Sequence, residues 1–124
     1  MTIIEAIERI DSLTPNGYSR EDKIYWLSIL DGMVATQVLA SYLTEAEKEK
    51  FNGYTEDTEL TTGLLVEDPY SDMYLLWLQS KIEFYNGETD RYNNTMKTFS
   101  GIWDDFVRYI IRTKKAKEVK LKYW

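Results

Sequence analysis

Between Pro69 and Gly87 lies a helix-length stretch with no polar face. Tyr70, Met73, Tyr74, Leu75, Leu76, Trp77, Leu78, Ile82, Phe84 and Tyr85 cover almost the full circumference of a helix in its middle turns. A helix that is apolar all round must be covered on more than one side. Either it is the central helix of a bundle, or a neighbouring molecule covers part of it. Its ends are marked as well. Asp68 suits an N-cap, with Pro69 at the first helical position where its missing N–H costs nothing. Asn86-Gly87 is a left-handed stop after about Tyr85.

The rest of the chain predicts partners for this helix. Thr2 and Glu5 form a capping box for a first helix from about Ile3 to Leu13, with Ile3, Ile7 and Ile10 on one face, ended by Pro15-Asn16-Gly17. Ser19 and Asp22 open a second helix, in which Ile24, Leu27, Leu30, Val34 and Val38 keep helical spacing. Gly32 inside it suits a close crossing or a bend. Thr44 and Glu47 cap a short charged helix ending near Phe51. A final helix starts near Thr89 and carries Tyr92, Met96, Phe99, Ile102, Trp103, Phe106 and Ile110 at intervals of three and four. The expected fold is all-α: a small bundle of about four main helices plus one short helix, with a long loop over 53–67. At 124 residues it suits one domain. We divide it into a helical domain over 1–113 and a basic docking tail over 114–124.

The tail differs in pattern and in charge. Residues 1–111 carry 9 basic against 20 acidic residues, net −11. Residues 112–124 carry Arg112, Lys114, Lys115, Lys117, Lys120 and Lys122 against Glu118, net +5. Such a chain is electrically two-ended. After Lys117 the period changes to two, with Val119, Leu121 and Tyr123 alternating with Lys120, Lys122 and Trp124. That predicts an extended, strand-like tail which must pair with another protein, because a lone strand leaves its backbone unsatisfied. With the body so acidic, wholesale wrapping of DNA is not expected.

Catalysis finds no support. The chain has neither His nor Cys, which removes the usual neutral-pH base, a thiolate nucleophile and the commonest metal ligands. Ser28, Ser71 and Ser80 therefore have no triad, and Gly53 and Gly63 belong to no phosphate loop. Adjacent carboxylates such as Asp104-Asp105 and Glu67-Asp68 point apart, and Glu56, Asp57 and Glu59 lack the ligand pattern of a calcium loop. No enzyme activity, metal or cofactor is expected. The start of the chain reads as no signal peptide, and no apolar run could span a bilayer, so we expect no membrane partner.

Several stretches taken together carry a resemblance. They are Trp26-Leu27 before Leu30-Asp31, Tyr54 to Leu60, Leu65 to Tyr74, Ile82 to Glu88, Arg91 to Asn94, and Phe99. Over about Ile3 to Arg112 the chain resembles short head–tail connector (adaptor) proteins of siphophages and prophages of Gram-positive bacteria. The resemblance implies a structural virion protein, made in the host cytoplasm and located at the head–tail interface. It implies a homo-oligomeric ring of twelve subunits beneath the portal protein, lining the DNA channel and bearing the next tail or stopper protein. DNA would pass through without sequence-specific binding.

On this reading, Tyr74, Trp77, Trp103 and Phe106 serve core or subunit packing. Tyr54, Leu60, Leu64 and Leu65 supply loop contacts. Lys114, Lys115, Lys117, Val119, Lys120, Leu121, Lys122, Tyr123 and Trp124 dock on the portal. Two alternatives stand beside it: another head-completion or tail-terminator subunit, and a monomeric acidic inhibitor of a host DNA-binding protein.

Overall fold

A computed structural model of the chain describes residues 1–40, 42 and 51–122, with backbone alone for 115–122. Among the described residues four α-helices form the bundle: α1 (Ile3–Leu13), α2 (Arg20–Met33), α3 (Met73–Tyr85) and α4 (Thr89–Lys122). A π-helical segment, Val34–Leu39, continues α2. The fold is all-α, as expected. The short helix predicted from Thr44 to Phe51 lies mainly outside the described residues, and Phe51 itself is not helical.

The first two helices follow their local signals. Thr2 Oγ1 accepts from the Glu5 N–H at 3.2 Å, and the Glu5 carboxylate accepts from the Thr2 N–H at 3.3 Å, a complete capping box. Ser19 Oγ accepts from the Asp22 N–H at 3.1 Å and caps α2. No close crossing occurs at Gly32, where a Cβ would meet nothing within 4 Å. The helix instead passes into π geometry at Val34, and Thr36 Oγ1 donates back to the Gly32 carbonyl at 2.8 Å. Val34 and Val38 on this segment are both buried.

Helix α3 is the central helix. It packs against α1, α2 and α4, and Met73, Tyr74, Trp77, Leu78 and Ile82 are all buried. Its own chain thus covers most of the all-round apolar surface. The exception is the C-terminal end, where Phe84 and Tyr85 are more than half exposed. The start differs from expectation. The Asp68–Pro69 peptide is cis, and α3 begins at Met73 after tight turns in which Tyr70 N–H donates to Glu67 O and Met73 N–H to Tyr70 O. Asp68 accepts from the Ser71 hydroxyl and so does not cap the helix. The end is as predicted. Gly87 has φ +75°, Glu88 N–H reaches Glu83 O at 2.9 Å, and Gly87 N–H reaches Phe84 O at 3.1 Å. These two bonds are the Schellman pair.

The last helix is the largest departure. Its backbone stays helical through Lys122, where period two predicted a strand. A strand there has no partner among the described residues, whereas a helix satisfies its own amides and carbonyls. Tyr123 and Trp124 lie outside the described residues.

Two glycines differ in what a side chain would do. Gly87→Ala should destabilise the fold by about 1 kcal/mol, because φ is left-handed there. Gly101→Ala, on an exposed helical position with open space around it, should stabilise by about 0.5–1 kcal/mol. Urea midpoints of the two variants should therefore move in opposite directions.

Candidate functional site

The 53–67 loop is irregular, as expected, but it is strongly held. Its anchor is Asp31, a carboxylate with no exposed surface on α2. Asp31 accepts from the Tyr54 hydroxyl at 2.5 Å, the Tyr74 hydroxyl at 2.6 Å and the Leu65 N–H at 3.0 Å. Tyr74 in turn accepts from the Val66 N–H at 2.7 Å, and Ser28 Oγ accepts from the Tyr54 N–H at 2.9 Å. The loop's own carbonyls then serve α1. Leu60 O and Thr62 O accept from the Ile4 and Ile3 amides, each at 3.0 Å, which are among the donors a helix start leaves unpaired. Of the predicted loop contacts, Leu64 is buried, while Tyr54, Leu60 and Leu65 are half-buried against the core.

The four predicted packing residues separate into two groups. Trp77, Trp103 and Phe106 join one aromatic ladder: Trp77–Phe99 at 5.3 Å, Phe99–Trp103 at 6.0 Å, Trp103–Phe106 at 6.5 Å and Phe106–Tyr70 at 5.9 Å between centroids. Trp77 also donates its indole N–H to Trp26 O at 2.8 Å. Tyr74 stands apart, in the Asp31 network. Tyr74, Trp77 and Phe106 are enclosed by their own chain, and Trp103 is half-buried. At the other end of α4, Lys114 lines a cavity of about 310 Å3 with Tyr42, Leu65, Tyr70 and Tyr109. The side chains of Lys115, Lys117, Val119, Lys120, Leu121 and Lys122 lie outside the described part.

Sequence reading missed two features at the corner where α3 turns into α4. One is a half-exposed aromatic group. Tyr85 stacks on Trp26 at 5.7 Å and 11°, Tyr18 meets Trp26 edge-on at 5.6 Å, and Phe84 contacts Tyr92 at 5.5 Å. The other is a groove of about 460 Å3, lined by Leu13, Gln79, Glu83, Glu88, Arg91 and Asn94 among others. Glu83 is only 4% exposed and its Oε1 has no hydrogen-bond partner. Its Oε2 accepts from Gln79 at 3.3 Å. A single acid, four residues after Gln79 on the central helix, was the available signal.

Charge is perturbed where burial demands it. Burial pushes the Asp31 carboxyl above the usual carboxylate range, against the opposing pull of its three donors. Burial and the neighbouring Asp31 charge raise both the Tyr54 and Tyr74 hydroxyls, so they stay protonated donors. Burial also pulls Asp11 upward, but hydrogen bonds from Lys23 and Asn16 and the Lys23 charge outweigh it and leave Asp11 low. That pair, at 2.6 Å, satisfies a Lys23 side chain that is almost wholly buried. Among the described residues no three acidic side chains converge as a metal-ligand set, and no helix is long and apolar enough to cross a membrane.

Comparison with protein-family models, curated proteins and solved structures gives no match.

Asp31→Asn should cost about 1–3 kcal/mol near neutral pH, since an amide nitrogen would face a hydrogen-bond donor. Its pH dependence has a definite sign. A carboxyl raised in the folded state binds its proton more tightly there than when unfolded. Its contribution is full below the unfolded value and is lost as pH rises through the folded one. Wild type should therefore gain stability relative to Asp31→Asn as pH falls from neutral towards about 4, as read from urea midpoints across pH. A difference that narrows on acidification would contradict this assignment.

Proposed function

We propose that this chain is a non-catalytic structural subunit of a tailed-phage virion. It is a head–tail connector that assembles as a homo-oligomeric ring, contacts the portal protein and carries the next tail component. The observation that carries the reading is the division of charge between the bundle and the far end of its last helix. Helix α4 is 34 residues long, about 50 Å at 1.5 Å per residue. It begins in a bundle whose body, residues 1–111, has net charge −11, and it ends in a segment of net +5. Its last buried residue among those described is Ile110, so the cationic segment follows the part that the core requires. A ring needs heterologous contacts, one patch meeting a different patch on the next copy, and a chain with unlike ends supplies two such patches. An acidic body also suits a DNA conduit, because like charge keeps the duplex from adhering to the wall. Siphophage connectors are the family that this sequence resembles, and that resemblance supplies the virion context.

The test is capture on purified portal rings. Full-length chain should bind as a multi-copy ring visible by mass photometry, and a chain ending at Thr113 should bind more weakly. Binding should weaken with added salt if the basic end contributes. A full-length chain that ignores the portal and instead binds a host DNA-binding protein as a monomer would replace this reading with the acidic-inhibitor one.

A further inference from the structure

We infer that the groove at the α3–α4 corner receives the basic C-terminal end of α4 from a second copy of this chain, with Glu83 and Glu88 accepting its ammonium groups. This rests on the assembly reading and names one contact within it.

The argument begins with buried polar groups. Lys23, Asp31, Ser71 and Ser80 each have a close partner. Glu83 Oε1 has none. A buried oxygen without a donor forfeits its water without compensation, and the loss is larger for a charged group. Exposed carboxylates elsewhere keep their water and have no such deficit. Even the crowded Glu21–Glu56 pair, whose mutual charge and hydrogen bond raise Glu56, lies on the open surface. The groove is therefore the place on the acidic body where an incoming donor gains most.

The surroundings favour a cation. Glu88 stands beside Glu83 in the groove, engaged by Arg91 only at 3.9 Å with both side chains well exposed. The carbonyl end of α3 lies next to it, the negative end of that helix dipole. Gln79 and Arg91, both long and rotatable, line the groove. The exposed rings of Phe84 and Tyr85 lie at the same end of α3, outside the groove lining. Within this chain Lys81 already lies 4.1 Å from the Trp77 ring centroid.

The donor cannot come from the same molecule's C-terminal end. The groove is at the start of α4, and the segment bearing Lys114, Lys115, Lys117, Lys120 and Lys122 is at its far end, tens of ångströms along one continuous helix. Only another copy brings the two together. The contact is head-to-tail, the class that closes into rings.

The experiment mixes full-length chain in normal and 15N-labelled form, joins carboxylates to amines with a zero-length carbodiimide, and reads the linked peptides by mass spectrometry. Mixed-isotope links should join a lysine of 114–122 to Glu83 or Glu88. The double variant Glu83→Gln, Glu88→Gln should weaken self-association by about tenfold or more in sedimentation. Lys117→Gln, Lys120→Gln, Lys122→Gln should do the same. Links confined to one isotope, links to other carboxylates, or no association at millimolar concentration would each overturn the contact. So would links in Arg91→Gln that are unchanged while the double variant associates normally. Portal capture without corner links removes this contact and leaves the connector reading standing. Corner links without portal capture do the reverse.

Discussion

A single buried carboxylate holds the least regular part of this chain in place. Asp31 gathers two tyrosine hydroxyls and one backbone amide, and through them it fixes the loop across the end of α1, α2 and α3. An ionised group out of water is costly unless its hydrogen bonds are made. Here they are made by Tyr54 and Leu65 from the loop and by Tyr74 from the central helix. The loop arrives with Leu64 and Val66 directed into the core, so the polar anchor and the apolar plug act on the same segment. Without the anchor, a long stretch rich in threonine and acidic residues has no period of its own to organise it.

The helices were legible because their signals are local. Thr2 with Glu5, Ser19 with Asp22, and Asn86-Gly87 each act within one turn of the chain, and each appears in the structure where the residues placed it. The start of α3 was misread because two local chemistries compete there. Asp68 and Pro69 make a good helix opening on paper, but Ser71 takes the Asp68 carboxylate and the chain makes tight turns first. The tail was misread because alternation in a short charged segment does not outweigh a helix already running into it from Thr89. Asp31, Tyr54 and Tyr74 are 20 or more residues apart in sequence. No spacing rule links them, and Asp31 on its own looked like one more acid on a helix. Glu83 was hidden for the opposite reason, since the apolar residues around it drew the reading towards packing.

The aromatic residues show how one composition serves two ends. Trp77, Phe99, Trp103 and Phe106 run as a ladder between α3 and α4 and fasten the two longest-contacting helices. Tyr18, Trp26, Phe84 and Tyr85 form a second group that the bundle leaves half open. Ladder and open corner share α3: the ladder ties it to α4, and the Trp26–Tyr85 stack ties its end to α2. A neighbour seated on the corner would thus push on elements whose relative position the ladder already fixes. This is the condition under which a docking surface keeps its shape from copy to copy.

The bond pattern at the chain's beginning has a wider consequence. Met1 O accepts from the Leu64 N–H, and the Ile3 and Ile4 amides end on loop carbonyls. Lifting the loop therefore unties the first turn of α1, and fraying of that turn strips the loop of two acceptors' partners. The two segments open together or stay shut together, as one cooperative unit. A surface excursion is thereby tied to the opening of the bundle's first helix.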